Sequence, residues 1–420
     1  MTRGIILASR HIKLRLFTDW FIMSKLRVAI IAPPWLTIPP KGYGGIEEVL
    51  DSLISGLVKC DVVVEVFGVG PSKSRGKVKI HTLYKTEQFK DIHRPMYESM
   101  PILAAHMQFA LNYIKEDGKF DIIHDHNGFL GSLVLAWASR DQSMPPVVHT
   151  LHGPPFSDQQ MLDQDLPDNR LFWQQLGQMS SREFFVGISE ALSKSAPKAL
   201  KPRMLQTVYN AADVDRFKFI ENKKDYFLTL ARFSRDKGQH VAAKICKKQG
   251  YKLLMAGNVA GISSAKQLQF EIANPMSSYR YLADFRYYSD QILPFTIDSK
   301  NIKNVGNISS KRKLNTIANA KALLFPIDWE EPFGMAVIEC LASGTPVIAM
   351  KRGAMPEIIE HGVNGFLANT EAEFAEYMQR VDEISPKACR ESVEKNFSSK
   401  IMATAYIDRY EEVIRKTSGR

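Results

Sequence analysis

The feature of the sequence that most constrains the fold is a repeated unit in which a short apolar run precedes a loop and an amphipathic helix. Residues 27–32 (RVAIIA) form such a run, two prolines end it, and apolar residues then recur at helical spacing from Ile46 to Leu57. Continuous branched runs of this length are typical of strands that are buried on both faces of a parallel sheet. The sequence therefore predicts an α/β protein that is built from β-α-β units.

The same alternation continues along the chain and lapses once, between about residues 210 and 224, where polar and charged residues replace the apolar pattern. Strands are predicted on both sides of this lapse, at residues 27–32, 62–67, 122–124, 146–151, 184–188, 226–231, 252–256, 322–326 and 346–350. Two facing Rossmann-like domains, each with a mostly parallel, doubly wound sheet, account for the pattern. We expect them at residues 23–210 and 225–398, with a last helix at 399–420 that packs back across the boundary.

Composition narrows the class of protein further. With 45% hydrophobic and 24% charged residues the chain has the composition of a globular protein. No apolar stretch approaches the roughly 18 residues that a membrane-spanning helix needs. The four cysteines are scattered and form no C-x-x-C pair, which indicates a cytoplasmic protein without structural disulfides or a zinc knuckle. The oligomeric state stays open.

The formal charge of +10 predicts attraction to an anionic partner. The basic residues are not interleaved with aromatic residues, and no helix-turn-helix or zinc-finger pattern is present, so no nucleic-acid partner is predicted. Phosphorylated ligands and a peripheral membrane contact remain as alternatives. Residues 1–22 contain four Lys or Arg side chains and one acid, and are interpreted as a mis-assigned or dispensable extension, with a basic membrane contact as the alternative.

A glycine-rich loop joins the first strand to the first helix. Gly44 and Gly45, preceded by Gly42, lie where the loop enters the helix, so their backbone N–H groups can approach an anion at its positive end. The loop is too long, and its glycines are spaced too differently, for a dinucleotide-binding fingerprint. Gly44 and Gly45 are therefore candidate phosphate-contacting residues, and a plain loop is the alternative.

Two basic residues follow the first strand of the second domain. Arg232 and Lys237 flank the residues Phe-Ser-Arg-Asp and precede Gly238. Doubly wound sheets bind ligands at the carboxyl ends of their strands, and a guanidinium beside an ammonium suits a diphosphate. Together they would neutralise a departing nucleoside diphosphate without a metal ion. A solvated basic turn is the alternative.

The segment with the most chemical content begins at Glu331 and includes Glu339 eight positions later. Glu339 lies in an apolar run, so its carboxylate needs hydrogen-bond donors, which the hydroxyls of a ribose would supply. Glu331 lies at the mouth of the predicted helix, where it would accept hydrogen bonds from sugar hydroxyls. A solvated helix face or a capping acid is the alternative for either residue.

The helix between these two acids is also predicted from the sequence. Pro332 is suited to its first turn, and Gly344 to the position just after its end. The first N–H groups of a helix have no partner within it. Those of Gly334 and Met335 would therefore be free to hold phosphate oxygens.

Histidines concentrate at two predicted strand ends, in His124-Asp125-His126 and in His149-Thr-Leu-His152. Such a cluster offers ligands for the zinc ion of a metallo-hydrolase. Strand alternation, however, directs His124 and His126 to one side and Asp125 to the other, and no third acidic ligand follows at a suitable spacing. We interpret these residues as the polar lining of a cleft, with a metal site as the alternative.

Taken together, these segments resemble family 4 of the retaining glycosyltransferases, which have the GT-B fold of two facing Rossmann-like domains. The resemblance covers most of the chain from about residue 25. It rests on the order of several motifs: Gly44-Gly45, His152-Gly153, Ser189-Glu190, residues 210–217, Arg232 with Lys237, and Glu331 with Glu339.

The resemblance implies a nucleoside-diphosphate sugar as donor, a UDP-sugar or a GDP-sugar, whose sugar moves to an acceptor hydroxyl with retention and without a metal or other cofactor. The implied catalytic residues are Glu331, which would hold the transferred sugar, and His152, which would contact an outer hydroxyl of that sugar. The implied binding residues are Arg232, Lys237, Gly44, Gly45, Gly334 and Met335 for the diphosphate, Glu339 for the ribose, and Gly257 for the base.

The chain departs from the family pattern at two places. Residues 258–304 form a long, aromatic span that we interpret as a packed helical insert, and Ala211-Ala212 replaces the usual glycine after the linker asparagine, Asn210. A sugar-nucleotide-binding protein without turnover and a metallo-hydrolase are the alternative functions. A glycan phosphorylase is disfavoured because no lysine site for pyridoxal phosphate is found. The sugar, the base and the acceptor stay unassigned.

Overall fold

The computed structural model describes residues 25–41, 44–92, 95–153, 156–157, 168–179, 182–262 and 264–418. The predicted extension, residues 1–22, and Gly42 lie outside these ranges. Within them the chain forms two six-stranded parallel sheets that alternate with helices. The predicted α/β fold of two Rossmann-like halves is thereby confirmed.

The first sheet has the strand order β3-β2-β1-β4-β5-β6, and all neighbouring strands are parallel. Its strands are β1 Arg27–Ile31, β2 Val63–Gly68, β3 Lys79–Thr82, β4 Ile122–Asp125, β5 Val147–Leu151 and β6 Glu183–Gly187. The strand order reverses between β1 and β4. In open α/β sheets a ligand binds at the carboxyl ends of the strands at such a point.

The second sheet repeats this topology. Its strands are β7 Phe227–Leu230, β8 Leu253–Ala256, β9 Ile302–Gly306, β10 Ala322–Phe325, β11 Val347–Met350 and β12 Gly365–Ala368. They are parallel and follow the order β12-β11-β10-β7-β8-β9. The order here reverses between β7 and β10, so each sheet has one predicted binding crevice.

Helices alternate with the strands throughout. Those of the first half are α1 Gly45–Lys59, α2 Met96–Asp117, α3 Gly128–Ala138, α4 Arg170–Met179 and α5 Glu190–Lys194. Those that follow are α6 Gln239–Gln249, α7 Ala265–Ala273, α8 Ala283–Tyr287, α9 Leu293–Asp298, α10 Ser310–Asn319, α11 Met335–Ala342, α12 Met355–Ile358, α13 Glu371–Gln379, α14 Pro386–Asn396 and α15 Ser399–Thr417. Among the described residues, none of the helices is long and apolar enough to span a bilayer.

Three strands at the edges of the sheets escape the sequence prediction, namely β3, β9 and β12. Their sequences are KIHT, IKNVG and GFLA, and none contains a continuous branched run. Edge strands pair on one side only and are commonly short, so they lack the apolar pattern that marks a central strand. The predicted strands therefore include the central ones and omit part of the periphery.

The aromatic span between β8 and β9 is helical, as expected. It contains α7, α8 and α9, with a π-helical stretch, Tyr288–Ile292, between the last two. Phe285 and Tyr288 are buried in the core of the second half, and the Tyr288 ring lies edge-on to Phe233 at 5.1 Å. The span is thus a packed insertion that extends this core.

The connection between the two sheets is packed against the protein. Ala211 and Ala212 are buried, and neither has a positive φ, so alanine fits where the family pattern has glycine. The N–H of Ala212 donates to the carbonyl of Phe397 at 3.0 Å. The segment that leads from the first half to the second therefore lies beside the segment that leads back to the first half. Near the end of this connection, before β7, Lys223 Nζ donates to the carbonyl of Ala318 at 3.0 Å.

Helix α15 follows the second sheet in the chain but packs on the first half. A Cβ on Gly56 of α1 would overlap the backbone of α15, so the two helices are in close contact. The Tyr410 hydroxyl lies 2.6 Å from His124 Nδ1, and the Tyr406 hydroxyl lies 2.7 Å from Thr150 Oγ1. Helix α15 therefore completes the core and the buried hydrogen bonds of the first half.

Candidate functional site

The carboxyl ends of the two sheets face a common cavity of about 500 Å³. Loops after β1 and β5 and the start of α1 line it from the first half, and loops after β7, β8, β9 and β10 and the start of α11 line it from the second. The candidate residues that line it are Gly44, Gly45, His152, Arg232, Lys237, Gly257, Glu331, Gly334, Met335 and Glu339. The structure thus brings together every residue that the sequence singles out for the site.

Glu331 is held on several sides. Its Oε2 accepts hydrogen bonds from the ammonium of Lys237 at 2.6 Å and from Nε1 of Trp329 at 3.0 Å. The same ammonium lies 4.3 Å from the centroid of the Trp329 ring. The carbonyl of Glu331 accepts from the N–H of Ala354 at 2.9 Å, and a Cβ on Gly353 would overlap its backbone. Lys237 therefore contacts Glu331 directly, which the sequence does not predict.

Arg232 leaves its guanidinium half exposed, 3.6 Å from Asp284 Oδ2, so a ligand can still reach it. Gly238 closes the loop that carries Arg232 and has a φ of 66°, a conformation that favours glycine. A Cβ on Gly238 would also overlap the carbonyl oxygen of Pro326. The glycine thus allows the loop after β7 to approach the loop after β10.

Glu339 is buried in α11, and its Oε1 accepts a hydrogen bond from Lys313 Nζ at 2.7 Å. Lys313 lies in α10 and lines the cavity. The expectation that Glu339 needs donors is therefore met by a protein side chain before any ribose is considered. The sequence prediction misses Lys313, because the two residues are 26 positions apart and only the fold brings them together.

Helix α11 begins at Met335, so the prediction that Pro332 lies in its first turn is wrong. Gly334 precedes the helix with a φ of 87°, and a helix cannot continue through a left-handed residue. Met335 and Ala336 form the first turn and line the cavity, so unpartnered N–H groups of the helix lie at its wall. Gly344 has a φ of 73° and directly follows the C-cap residue Ser343, at the end of the helix as predicted.

Gly257 follows β8 at a point where the backbone is crowded. A Cβ there would overlap the carbonyl oxygen of Ala231, and its N–H donates to the carbonyl of Gly306 at 3.0 Å. Close packing of three strand ends therefore explains the glycine. Asn307 and Ile308 line the cavity nearby and are not anticipated by the sequence. The assignment of Gly257 to a base pocket stays a prediction.

The interpretation of the histidines as the polar lining of a cleft holds for His152, which lines the cavity, but is wrong for His124, His126 and His149, which are buried and do not line it. His126 Nδ1 lies 2.7 Å from His152 Nε2, whereas His124 contacts the tyrosines of α15. Burial lowers the pKa of His152 to about 4, so its ring is neutral near pH 7. In the part of the chain that the structure describes, no three His, Cys, Asp or Glu side chains are arranged to hold a metal ion.

His149 lies between two buried carboxylates. Its Nδ1 is 2.9 Å from Asp125 Oδ2, and its Nε2 is 2.5 Å from Glu183 Oε1. Burial alone would lower the pKa of His149, but the charges of Glu183 and Asp125 raise it to about 9. Burial in turn raises the pKa of Glu183. This triad ties β4, β5 and β6 together behind the cavity, so His149 acts in the fold.

Gly44 and Gly45 open α1, where the sequence predicts a phosphate contact. The carboxyl group of Glu47 lies next to them: it is hydrogen-bonded to its own backbone N–H, and its Oε2 would be 2.9 Å from a Cβ on Gly44. Burial, with smaller contributions from the charges of Glu87 and Glu48, raises the pKa of Glu47 to about 7. The N-terminus of α1 therefore lies next to the carboxyl group of Glu47, a residue that the sequence prediction does not include.

Hydrogen bonds between α12 and α5 also join the two halves of the protein. Glu357 of α12 accepts hydrogen bonds from the N–H groups of Glu190 at 2.7 Å and Ala191 at 2.8 Å, the first residues of α5. Ser189 caps the same helix by accepting from the N–H of Leu192 at 3.1 Å. Charge-assisted hydrogen bonds of this length are strong. A side chain of the second half therefore fixes the position of a helix of the first.

Two family models match the chain in succession. Residues 43–216 match the model described as Glycosyltransferase Family 4, and residues 212–396 match the model described as Glycosyl transferases group 1. Together the matches span both sheets. The chain belongs to the family 4, group 1 glycosyltransferases. The resemblance that the motifs indicate is thereby confirmed.

Within this family, the chain is 26% identical over 270 residues to a D-inositol 3-phosphate glycosyltransferase of Mycolicibacterium paratuberculosis, a match that covers 60% of this chain and 56% of that protein. The chain therefore matches little more than half the length of that curated relative. It is 23% identical over 328 residues to an uncharacterized 41.2 kDa protein of the cps region of Klebsiella pneumoniae, covering 70% of this chain and 79% of that protein.

Solved structures share the fold over almost the whole chain. Sucrose-phosphate synthase from Thermosynechococcus elongatus matches with a TM-score of 0.69 and 17% identity, covering 93% of this chain and 100% of that one. HepE of Anabaena, solved with UDP and glucose, matches with a TM-score of 0.63 and 16% identity, covering 92% and 100%. At these identities the likeness establishes the GT-B fold alone.

Proposed function

We propose that this protein transfers a glycosyl group from a nucleoside-diphosphate sugar to an acceptor hydroxyl. The observation that carries the proposal is that groups suited to each part of such a donor converge in one cavity between the two sheets: Glu331, Glu339, Arg232, Lys237, Lys313 and the first N–H groups of α11. Carboxylates suit the hydroxyls of a sugar and a ribose, and cations with free N–H groups suit a diphosphate. Membership of a glycosyltransferase family supports it.

In this proposal the donor lies along the part of the cavity that the second half of the protein lines. Arg232, Lys237 and the N–H of Met335 stabilise the charge that develops on the departing diphosphate. Glu339 accepts hydrogen bonds from the ribose, and the base lies towards Gly257. We expect a UDP-sugar or a GDP-sugar as donor and a hexosyl group as the moiety that is transferred.

Glu331 and His152 hold the transferred sugar. The Glu331 carboxylate accepts hydrogen bonds from sugar hydroxyls, and His152, which is neutral because its pKa is lowered to about 4, contacts an outer hydroxyl. The acceptor oxygen attacks on the face from which the diphosphate leaves, so the configuration at the anomeric carbon is retained. The new bond from the acceptor oxygen to the anomeric carbon replaces the bond from that carbon to the diphosphate oxygen, and the proton of the acceptor hydroxyl passes to the departing diphosphate. The fixed cations of Arg232 and Lys237 supply the charge stabilisation, so no metal or other cofactor is required.

Transfer assays test this proposal. Purified protein is incubated with radiolabelled UDP-sugars and GDP-sugars and a panel of hydroxyl acceptors, with and without EDTA. We expect label in an acceptor product under both conditions, with a retained anomeric configuration by NMR. Inverted product would refute retention, and loss of activity in EDTA would refute the metal-free mechanism. Nucleotide binding without transfer would instead favour a sugar-nucleotide-binding protein.

We place this reaction in the cytoplasm, with peripheral membrane contact as an option. All four cysteines are free thiols. Cys60 is half-buried, and the other three are buried, namely Cys246, Cys340 and Cys389. Free buried thiols fit a reducing compartment. Fractionation of cells that express the native chain tests the location, and recovery from an oxidising compartment would refute it.

A further inference from the structure

The first half contributes a wall to the cavity whose chemistry none of the donor roles uses. Its described residues include the apolar side chains Trp35, Leu36, Phe89 and Ile92, together with the acid Glu47. This wall faces the cations and carboxylates that the proposed function assigns to the donor. An apolar surface with a few placed polar groups is the usual lining of a small-molecule site.

Glu47 differs from the acid beside it. Glu48 pairs with Arg216 at 2.6 Å and lies 3.7 Å from Arg75. Glu47 is 5% exposed, and within the described ranges no lysine or arginine forms an ion pair with it. A buried carboxylate without a cation is unstable, which is why burial raises its pKa to about 7. The Glu47 carboxyl group accepts a hydrogen bond from its own backbone N–H, and a ligand hydroxyl would supply a further donor.

We propose that Glu47 and Trp35 bind the acceptor, and that the acceptor is a sugar residue of a neutral saccharide. This inference rests on the proposed transferase function and specifies its second substrate. Glu47 accepts a hydrogen bond from an acceptor hydroxyl next to the one that attacks. The half-buried Trp35 indole packs against the ring of the same sugar.

The chemistry of the wall favours a saccharide for two reasons. A sugar ring presents C–H groups, which suit the negative face of an aromatic ring, and a rim of hydroxyls, which suit a carboxylate. An anionic acceptor would bring its charge close to Glu47 and Glu87, whereas the charge of Glu48 is offset by Arg216 and Arg75. An inositol phosphate, which is named for several relatives, is therefore a poor match for this wall.

Steady-state kinetics of Glu47→Ala and Glu47→Gln test the assignment. The acceptors are the p-nitrophenyl glycosides of glucose, galactose, mannose and N-acetylglucosamine, compared with inositol 3-phosphate. At about pH 8.5, above the raised pKa of Glu47, we expect kcat/KM for the neutral glycoside to fall about 10- to 100-fold in Glu47→Ala, with a smaller loss in Glu47→Gln, because a hydrogen bond to a charged group is lost. The Kd for UDP or GDP and the hydrolysis of the donor by water should stay within about two-fold.

Two further variants separate recognition from folding. Glu116→Ala removes an exposed acid of α2 that is not part of the cavity lining, and should leave all of these parameters unchanged. Trp35→Ala should lower acceptor kcat/KM, whereas Trp35→Phe should retain most of it, because the aromatic face is kept. Thermal denaturation of each variant verifies that it is folded.

The outcomes separate this inference from the proposed function. Transfer to inositol 3-phosphate but to no neutral glycoside would overturn the acceptor class and leave the transferase function intact. Equal losses of nucleotide affinity and acceptor kcat/KM in Glu47→Ala would assign Glu47 to the donor instead. If the unaltered protein transferred sugar to none of these acceptors, the proposed function and the inference would both fail.

Discussion

Lys237 is the residue whose removal tests the donor site most directly. Lys237→Ala deletes the ammonium that donates to Glu331 at 2.6 Å and lies over the Trp329 ring at 4.3 Å. One hydrogen bond between this ammonium and a diphosphate is worth about 1.5–3 kcal/mol, since one partner is charged. We therefore expect the Kd for UDP or GDP to rise about 10- to 150-fold.

The same substitution also changes the stability of the fold. The Lys237 and Glu331 side chains are 15% and 11% exposed, so the pair is largely removed from water. Without Lys237, the Glu331 carboxylate keeps the indole N–H of Trp329 at 3.0 Å as a donor. Breaking a fully buried pair costs about 3–5 kcal/mol, and the remaining donor and exposure reduce this to roughly 2 kcal/mol of unfolding free energy.

A double-variant cycle separates these two effects. Titration calorimetry gives the nucleotide affinity, and denaturant unfolding gives the stability, of Lys237→Ala, Glu331→Ala and the double variant. The double variant should recover part of the stability, because no uncompensated carboxylate remains, while its nucleotide affinity stays low. Lys395→Ala, on the exposed surface of α14, is the control. A folded Lys237→Ala protein with unchanged nucleotide affinity would refute the assignment of Lys237 to the diphosphate.

Three further predictions concern the surroundings of this pair. Glu331→Ala should lower turnover at least 100-fold while nucleotide affinity changes little, and wild-type turnover would remove Glu331 from the site. Gly257→Ala should lower the melting temperature by at least about 5 °C, because its Cβ would overlap the carbonyl of Ala231, and an unchanged value would contradict this close approach. The pKa of His149 is raised to about 9 in the fold, so its contribution to stability is complete below about pH 6.5 and is lost as the pH rises through 9. The unfolding free energy should therefore fall by roughly 3 kcal/mol over this interval, and a His149→Gln protein without a flatter pH profile would contradict it.

Much of the fold follows from local pattern because its central strands are buried on both faces. Strands such as β1 and β10 are short, continuous apolar runs that are buried on both faces, and such runs are typical of central parallel strands. The edge strand β3 reads KIHT and carries no such signal, because it is defined by its pairing with β2. The sequence predicts a start for α11 that is too early. Pro332 is a local signal for a first helical turn, whereas the left-handed conformation of Gly334, which delays the start to Met335, depends on the surrounding fold.

The candidate site follows from the sequence where residues lie next to strand ends. Parallel strands bring their carboxyl ends to one edge, so Arg232 and Glu331 line the same cavity although they are far apart in the chain. Partners that lie on helices or on the opposite wall are not predicted, and these include Lys313 and Glu47. Their contacts depend on how α10 packs on α11 and how the two sheets face each other, which no local pattern encodes.

The packing of α15 on the first half has a consequence for how the chain acquires its structure during synthesis. Tyr406 and Tyr410 supply hydrogen bonds to β4 and β5, and Val413 is fully buried in the same core. A nascent chain that has emerged only as far as the linker therefore exposes apolar surface on α1 that α15 later covers. The second half can close on itself earlier, so we expect the half that is synthesised first to be completed last.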